Sequence, residues 1–231
     1  MSSLGQRLAE IESRIVSAVS KAGRERGDVE LIVVSKNHPA QMVLDLLDLG
    51  VRSFGENRDQ EAKPKAEEVS ALTADKHLEY KWHFIGQLQS NKVRSALSYA
   101  DLVHSVDRQS LLEALIKATA ERAKPLDIFI QLNLTDDPGR GGIEPKDLEA
   151  FAQQVLVAPN LNLLGVMGVA SLDRAPEVDF ETIRLASQAL IGVAPKAKFI
   201  SAGMSEDFES AIAFGATHLR VGSAITGKRQ Y

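Results

Sequence analysis

One lysine stands where an amine can serve as a nucleophile. The run Leu31-Ile32-Val33-Val34-Ser35-Lys36 reads as a short buried strand that ends on a cation. An unpaired ammonium is costly to desolvate. Desolvation also lowers its pKa, which turns a lysine into a nucleophile toward a carbonyl carbon. Lys36 is therefore a candidate for Schiff-base chemistry; the alternative is a lysine that reaches solvent from the strand end or pairs with Glu56. Two clusters near the C-terminus suit an anion. Ser201, Gly203 and Ser205 offer a hydroxyl, a permissive backbone and a helix cap, while Gly222 and Ser223 offer backbone N–H groups at a helix start. Arg220 adds a fixed cation beside them. Taken singly, each of these features also reads as a turn or a cap.

The remaining polar candidates are weaker. His83 lies between Trp82 and Phe84 and should point away from both. A neutral histidine hydrogen-bonded in the interior is the simpler reading, with a general base as the alternative. His38, His77, His104 and His218 lack metal-ligand spacing, so no metal site is expected. Asn57 suits either a ligand oxygen or a helix cap. The run Asp136-Asp137-Pro138-Gly139-Arg140-Gly141-Gly142 reads as a mobile turn-rich loop with a solvated Arg140. Lys63, Lys65, Glu67 and Glu68 read as a solvated helix face.

Positioning such groups requires an ordered succession of elements. Short apolar runs predict strands at 30–35, 52–54, 81–85, 102–105, 126–132, 161–167, 198–201 and 217–221. Amphipathic segments predict helices at 39–50, 57–69, 91–97, 110–122, 145–157, 179–191 and 205–213, with a final turn from 223. Pro64 is expected to kink or shorten its helix, and Asp107 to cap the helix at 110. A further helix, 4–22, precedes the first strand, with Leu4, Leu8, Ile11, Ile15 and Val19 on one stripe. Alternating strand and helix demands a parallel sheet with helical cover. Eight units predict a closed (β/α)8 barrel over a single domain, 1–231, with 1–24 as the leading helix. A doubly wound open sheet is the alternative, weakened because no G-x-G-x-x-G follows the first strand. Barrels place their sites at the C-terminal strand ends, where Lys36, Glu56, Asn57, His104, Ser201, Gly203, Arg220, Gly222 and Ser223 all fall.

Composition narrows the function. The 231 residues carry a net charge of −4, from 27 basic and 31 acidic side chains, which argues against a general binder of nucleic acid or membrane surfaces. The absence of cysteine excludes disulfides and thiolate chemistry. No leader-like N-terminus and no run of transmembrane length are present, so the cytoplasm is the expected compartment. A Schiff-base lysine facing a phosphate cradle suits two ligand classes. One is a phosphorylated substrate of a lysine aldolase, and the other is pyridoxal 5′-phosphate (PLP), whose aldehyde and phosphate are both accounted for.

Seven motifs in order resemble one family. Val33-Val34-Ser35-Lys36, Phe54-Gly55-Glu56-Asn57, Trp82-His83-Phe84-Ile85-Gly86, Leu88-Gln89-Ser90-Asn91-Lys92, Val103-His104-Ser105-Val106-Asp107, Gly203-Met204-Ser205 and Arg220-Val221-Gly222 resemble the pyridoxal phosphate homeostasis proteins (the YggS/PROSC family). The resemblance implies a fold type III barrel, similar to the N-terminal domain of alanine racemase, with PLP on Lys36 as a Schiff base. It implies a phosphate held by Ser201 and the Gly222-Ser223 pair, Arg220 facing the pyridine nitrogen, and Asn57 beside the ring. His83, Gly203 and Met204 complete the expected cofactor set. An arginine at the ring nitrogen keeps that nitrogen unprotonated, because two cations in contact repel, and so weakens the ring as an electron sink. The implied role is to carry or buffer PLP and support vitamin B6 and amino-acid balance, without established turnover. Apo forms of PLP-dependent enzymes are the implied partners. Without the second domain of racemases a monomer is expected. A weak amino-acid racemase remains as the enzyme alternative. The chain departs from the family pattern at Asn37-His38, Arg58-Asp59, Gly168-Val169-Ala170 and Thr226.

Overall fold

In a computed structural model, which describes residues 3–135 and 139–227, eight parallel strands close into one ring in chain order. The strands are β1 (Glu30–Val34), β2 (Ser53–Glu56), β3 (Lys81–Phe84), β4 (Leu102–Val106), β5 (Leu126–Gln131), β6 (Leu161–Met167), β7 (Phe199–Ser201) and β8 (His218–Val221). Each pairs with the next, and β8 returns to β1 through Ile32 opposite Arg220 and Val33 opposite Val221. The expected (β/α)8 barrel is the observed fold. The helices are α1 (Leu4–Lys21), α2 (Ala40–Asp48), α3 (Asp59–Thr73), α4 (Val93–Ala96), α5 (Gln109–Thr119), α6 (Leu148–Leu156), α7 (Pro176–Val193), α8 (Phe208–Ala213) and α9 (Ser223–Thr226). None of the described helices is long and apolar enough to cross a membrane.

The period of two along each strand sorts side chains between two cores. Val33, Phe54, Val103, Ile128, Ile130, Leu163, Val166, Leu219 and Val221 face the helices in one large apolar layer. Leu102, Phe129 and Met167 face inward and form a small separate cluster. Beside them lie Ile32 and a set of buried polar side chains: His83, His104, Ser201, His218 and Arg220. The leading helix α1 starts with a capping box, in which Ser3 Oγ accepts from the Gln6 backbone and Gln6 Oε1 from the Ser3 backbone. Its buried stripe of Leu8, Ile11, Ile15 and Val19 packs on the layer that covers β8 and β1.

Three local expectations are corrected. Helix α3 runs unbroken through Pro64 to Thr73. The proline falls in the second turn, so one lost N–H leaves the later hydrogen bonds intact. Asp107 does not cap α5; Arg108 is the N-cap residue, and the Asp107 carboxylate pairs with the Arg108 guanidinium. Lys65 is not part of a solvated face, because its side chain turns inward and is only 5% exposed. In the loop expected at 136–142, positions 136–138 lie outside the described residues.

Candidate functional site

Lys36 sits one residue past buried Ser35 in an exposed turn after β1, at the C-terminal mouth of the barrel. The expectation of a desolvated Lys36 is therefore not met: β1 ends at Val34, and the chain has already reached solvent at the lysine. What holds this turn in place is a second lysine. The Lys65 ammonium uses all three protons, on Ser35 O at 2.9 Å, Glu56 Oε1 at 2.7 Å and Glu61 Oε1 at 3.0 Å. Ser35 Oγ donates to the same Glu56 oxygen at 2.8 Å, and Glu61 Oε1 also accepts from the Asn37 backbone N–H. The backbone is thus gripped on both sides of Lys36. Asn37 takes a φ of 62°, the left-handed region that asparagine tolerates better than most residues. Burial pushes the Glu56 carboxyl above its ordinary pKa, while Lys65 and Ser35 pull it back.

Across the mouth, β7 leads into a loop that only glycine can make at position 203. Gly203 has φ +90°, and a Cβ there would lie 2.8 Å from the Ala211 side chain. The loop brings Ser205 to the start of α9, where its Oγ lies 3.5 Å from the Ala224 N–H. Gly222 precedes that helix, and a Cβ on it would press on Val34 at 3.3 Å. The Arg220 backbone N–H bonds to Gly203 O at 2.9 Å, which ties the two exits together.

Beneath the mouth a polar chain threads the interior. Arg220 Nη1 donates to Ser201 Oγ at 2.6 Å, and Nη2 donates to Gly168 O at 2.9 Å. Ser201 Oγ lies 2.8 Å from His104 Nδ1, and His104 Nε2 lies 3.0 Å from His83 Nδ1. His83 Nε2 faces Glu30 Oε1 at 3.4 Å, at the far end of the barrel. Complete burial draws Arg220 down to about 10, with Asp207 acting in the opposite sense. Burial also lowers both histidines, His104 most strongly, where the charges of His83, His218 and Arg220 add to the effect. For Glu30, burial alone would raise the carboxyl, but His218, His83 and Ser53, which face its oxygens, hold it well below the usual carboxylate range.

The two histidines make stability pH-dependent. Folded, they resist protonation; unfolded, they take up protons below about 6.5. The unfolded state then binds more protons, so stability falls as pH drops below that value. Glu56, raised by burial, works in the opposite sense, with one proton against two. Urea unfolding at pH 8, 6.5 and 5 is expected to show a loss of at most about 1.4 kcal/mol per pH unit per histidine below pH 6.5. A flat profile between pH 7 and 5 would mean that His83 and His104 are already charged in the folded barrel.

The sequence-expected residues separate by depth. Lys36, Gly203, Met204, Gly222 and Ser223 lie at the mouth, with Met204 and Ser223 exposed. Asn57 follows β2, and its Oδ1 is buried with no hydrogen-bond partner. It lines an open cavity with Arg58, Phe84, Leu88 and Lys92 on the β2–β3 side. Gly86 lets the β3 exit close on it, since a Cβ at Gly86 would lie 2.2 Å from Asn57 O. Ser201 and His83, both expected in the cofactor set, are fully buried below the mouth, and each side chain is engaged within the interior chain. Strand alternation turns them inward, and the serine that reaches the α9 start is Ser205. Lys65 was missed as a site-supporting residue, and His104, placed at a strand end, was not assigned a part in the site. The i,i+4 pair Glu61–Lys65 is legible as helix chemistry, but nothing local says that it turns inward. No group of three or more His, Asp or Glu among the described residues forms a metal site.

A family model described as alanine racemase, N-terminal domain, matches residues 7–230. The pyridoxal phosphate homeostasis protein of Mycobacterium leprae is 39% identical over 98% of this chain and 93% of its own length. That of Escherichia coli is 34% identical, over 100% of this chain and 99% of its own. The structure of PipY from Synechococcus elongatus, with PLP bound, matches with a TM-score of 0.82 at 33% identity, over 97% of this chain and 100% of PipY. Alanine racemase from Corynebacterium glutamicum matches with a TM-score of 0.66 at 16% identity, over 96% of this chain and 61% of the racemase, and so shares the fold alone.

Proposed function

We propose that this chain, which belongs to the pyridoxal phosphate homeostasis proteins within the alanine racemase N-terminal domain family, binds PLP on Lys36 and holds it in reserve. The observation that carries this reading is Arg220. Its guanidinium is fully buried and has two neutral acceptors, and no carboxylate pairs with it among the described residues. A buried cation without a counter-charge is expensive. An acceptor supplied from the mouth, such as an aromatic ring nitrogen, relieves that cost. The residues around it suit the rest of the cofactor. When bound, PLP supplies an aldehyde that condenses with a lysine amine, with loss of water, and a phosphate.

Each residue then has a task. Lys36, gripped through Ser35 and Asn37, presents its amine at the mouth. Ser205, with the Gly222, Ser223 and Ala224 backbone, takes the phosphate; Ser201 instead holds Arg220 from below. Arg220 donates toward the ring nitrogen and, as a cation, opposes its protonation. Asn57 offers its free Oδ1 on the β2 side. Glu56 supports holding over turnover. This carboxylate at the end of β2 is already engaged by Lys65 and Ser35. PLP-dependent enzymes in their apo form are the partners this role implies, with the cytoplasm as its compartment.

The test is to add PLP to the purified protein, titrate the absorbance change, and then offer L- and D-amino acids in D2O. Saturable binding without sustained Cα–H exchange supports the reading. A protein that stays colourless overturns binding, and steady exchange moves it to the racemases. Ser205→Ala is expected to weaken PLP binding roughly tenfold, the effect of losing one charge-assisted hydrogen bond. Equal affinity in equilibrium dialysis would remove Ser205 from the phosphate site.

A further inference from the structure

We propose that Glu30, at the end of the barrel opposite the mouth, fixes the direction of the interior hydrogen-bond chain and thereby positions Arg220 for its ligand. The proposal rests on the reading that Arg220 faces the bound cofactor, but its first test does not.

An arginine can only donate, so the Arg220 end of the chain has a set polarity. Two arrangements remain for the links between Ser201 and His83. In the forward one, Ser201 donates to His104 Nδ1, His104 Nε2–H donates to His83 Nδ1, and His83 Nε2–H points at Glu30. In the reverse one, His104 Nδ1–H donates to Ser201 and His83 Nδ1–H donates to His104. The Ser201 proton then has no acceptor among the described residues, since Arg220 and His104 are its two partners. In that arrangement a neutral His83 would also aim a lone pair at a carboxylate. A doubly protonated His83 would instead bury an imidazolium at 0% exposure.

Glu30 cannot act as a donor to rescue the reverse order. Ser53 donates to its Oε1 at 2.5 Å, and His218 Nε2 faces its Oε2 at 3.2 Å, both favouring the ionised carboxylate. His83 Nε2 is buried and makes no hydrogen bond among the described residues, and Glu30 Oε1, 3.4 Å away, is the carboxylate it faces. A cation at one end and a carboxylate at the other thus align every donor between them, and aligned hydrogen bonds strengthen one another. Ser201, by donating downward, becomes a better acceptor for Arg220 and leaves the other guanidinium protons free for the mouth.

The test is 15N NMR of the imidazoles in protein without cofactor. His83 and His104 are both expected to carry their proton on Nε2 with Nδ1 bare. Glu30→Gln keeps the shape but adds an amide N–H that can donate to His83 Nε2. That variant is expected to show a second His104 form with the proton on Nδ1, and PLP affinity lowered roughly fivefold to tenfold. A wild-type His104 protonated on Nδ1 overturns the proposal, even if Glu30→Gln does not fold. So do unchanged tautomers and affinity in a folded Glu30→Gln. If wild-type protein takes up no PLP, the functional reading fails, while the tautomers still decide the chain's direction.

Discussion

Lys36→Ala protein, saturated with PLP and treated with borohydride, is expected to carry no pyridoxyl mass, whereas wild type carries it on the peptide containing Lys36. The reason is placement. Lys36 is the amine held at the mouth by a turn whose two flanking residues are hydrogen-bonded in place. Lys65, the nearby buried lysine, has all three ammonium protons committed and cannot substitute. Because Lys36 is exposed and unpaired among the described residues, the substitution should change stability by no more than about 0.5 kcal/mol. Weak, dialysable PLP binding is expected to survive through Ser205, Gly222 and Arg220. Fixed adduct on Lys36→Ala protein would mean that another lysine is the anchor.

Lys65→Met should have the largest effect on stability. The substitution keeps an unbranched stem but leaves Glu56, 1% exposed, with only the Ser35 hydroxyl. Breaking a buried pair from one side costs about 3 kcal/mol or more, and urea unfolding would measure it. The sign of its pH dependence identifies the cause. Without Lys65 the Glu56 carboxyl should rise further above its unfolded value. A raised carboxyl is favourable to folding when protonated and loses that benefit as pH rises. The deficit of Lys65→Met should therefore be larger at pH 8 than at pH 5, and Glu56→Gln in the same protein should recover much of it. A deficit independent of pH, or no recovery, would trace the loss to packing. The freed turn should also capture PLP on Lys36 more slowly, which stopped-flow absorbance would follow.

The Lys36–Lys65 pair shows where sequence reading succeeds and where it stops. Leu31 to Val34 announces a strand, and the first polar groups after it must lie at a barrel exit, so Lys36 was legible as a mouth residue. Its environment was not. Desolvation acts on a lysine inside the strand end, but Lys36 lies beyond it, and the buried ammonium is Lys65, which in sequence sits within an ordinary charged helix. The same holds at the other exit. Ser201 and Ser205 both read as phosphate ligands, and strand phase plus the left-handed turn at Gly203 put one inside the barrel and the other at the α9 start.

The sequence by itself determined the barrel, the order of its eight exits and the chemistry offered at them, because strand and helix periods and turn residues are local properties. The tertiary structure alone decided which polar groups meet. Glu30, His83, His104, Ser201 and Arg220 come from five strands spread along the chain, and only ring closure brings them into one interior. Burial there then decides which groups stay neutral and which keep a charge, through contacts that no local pattern encodes.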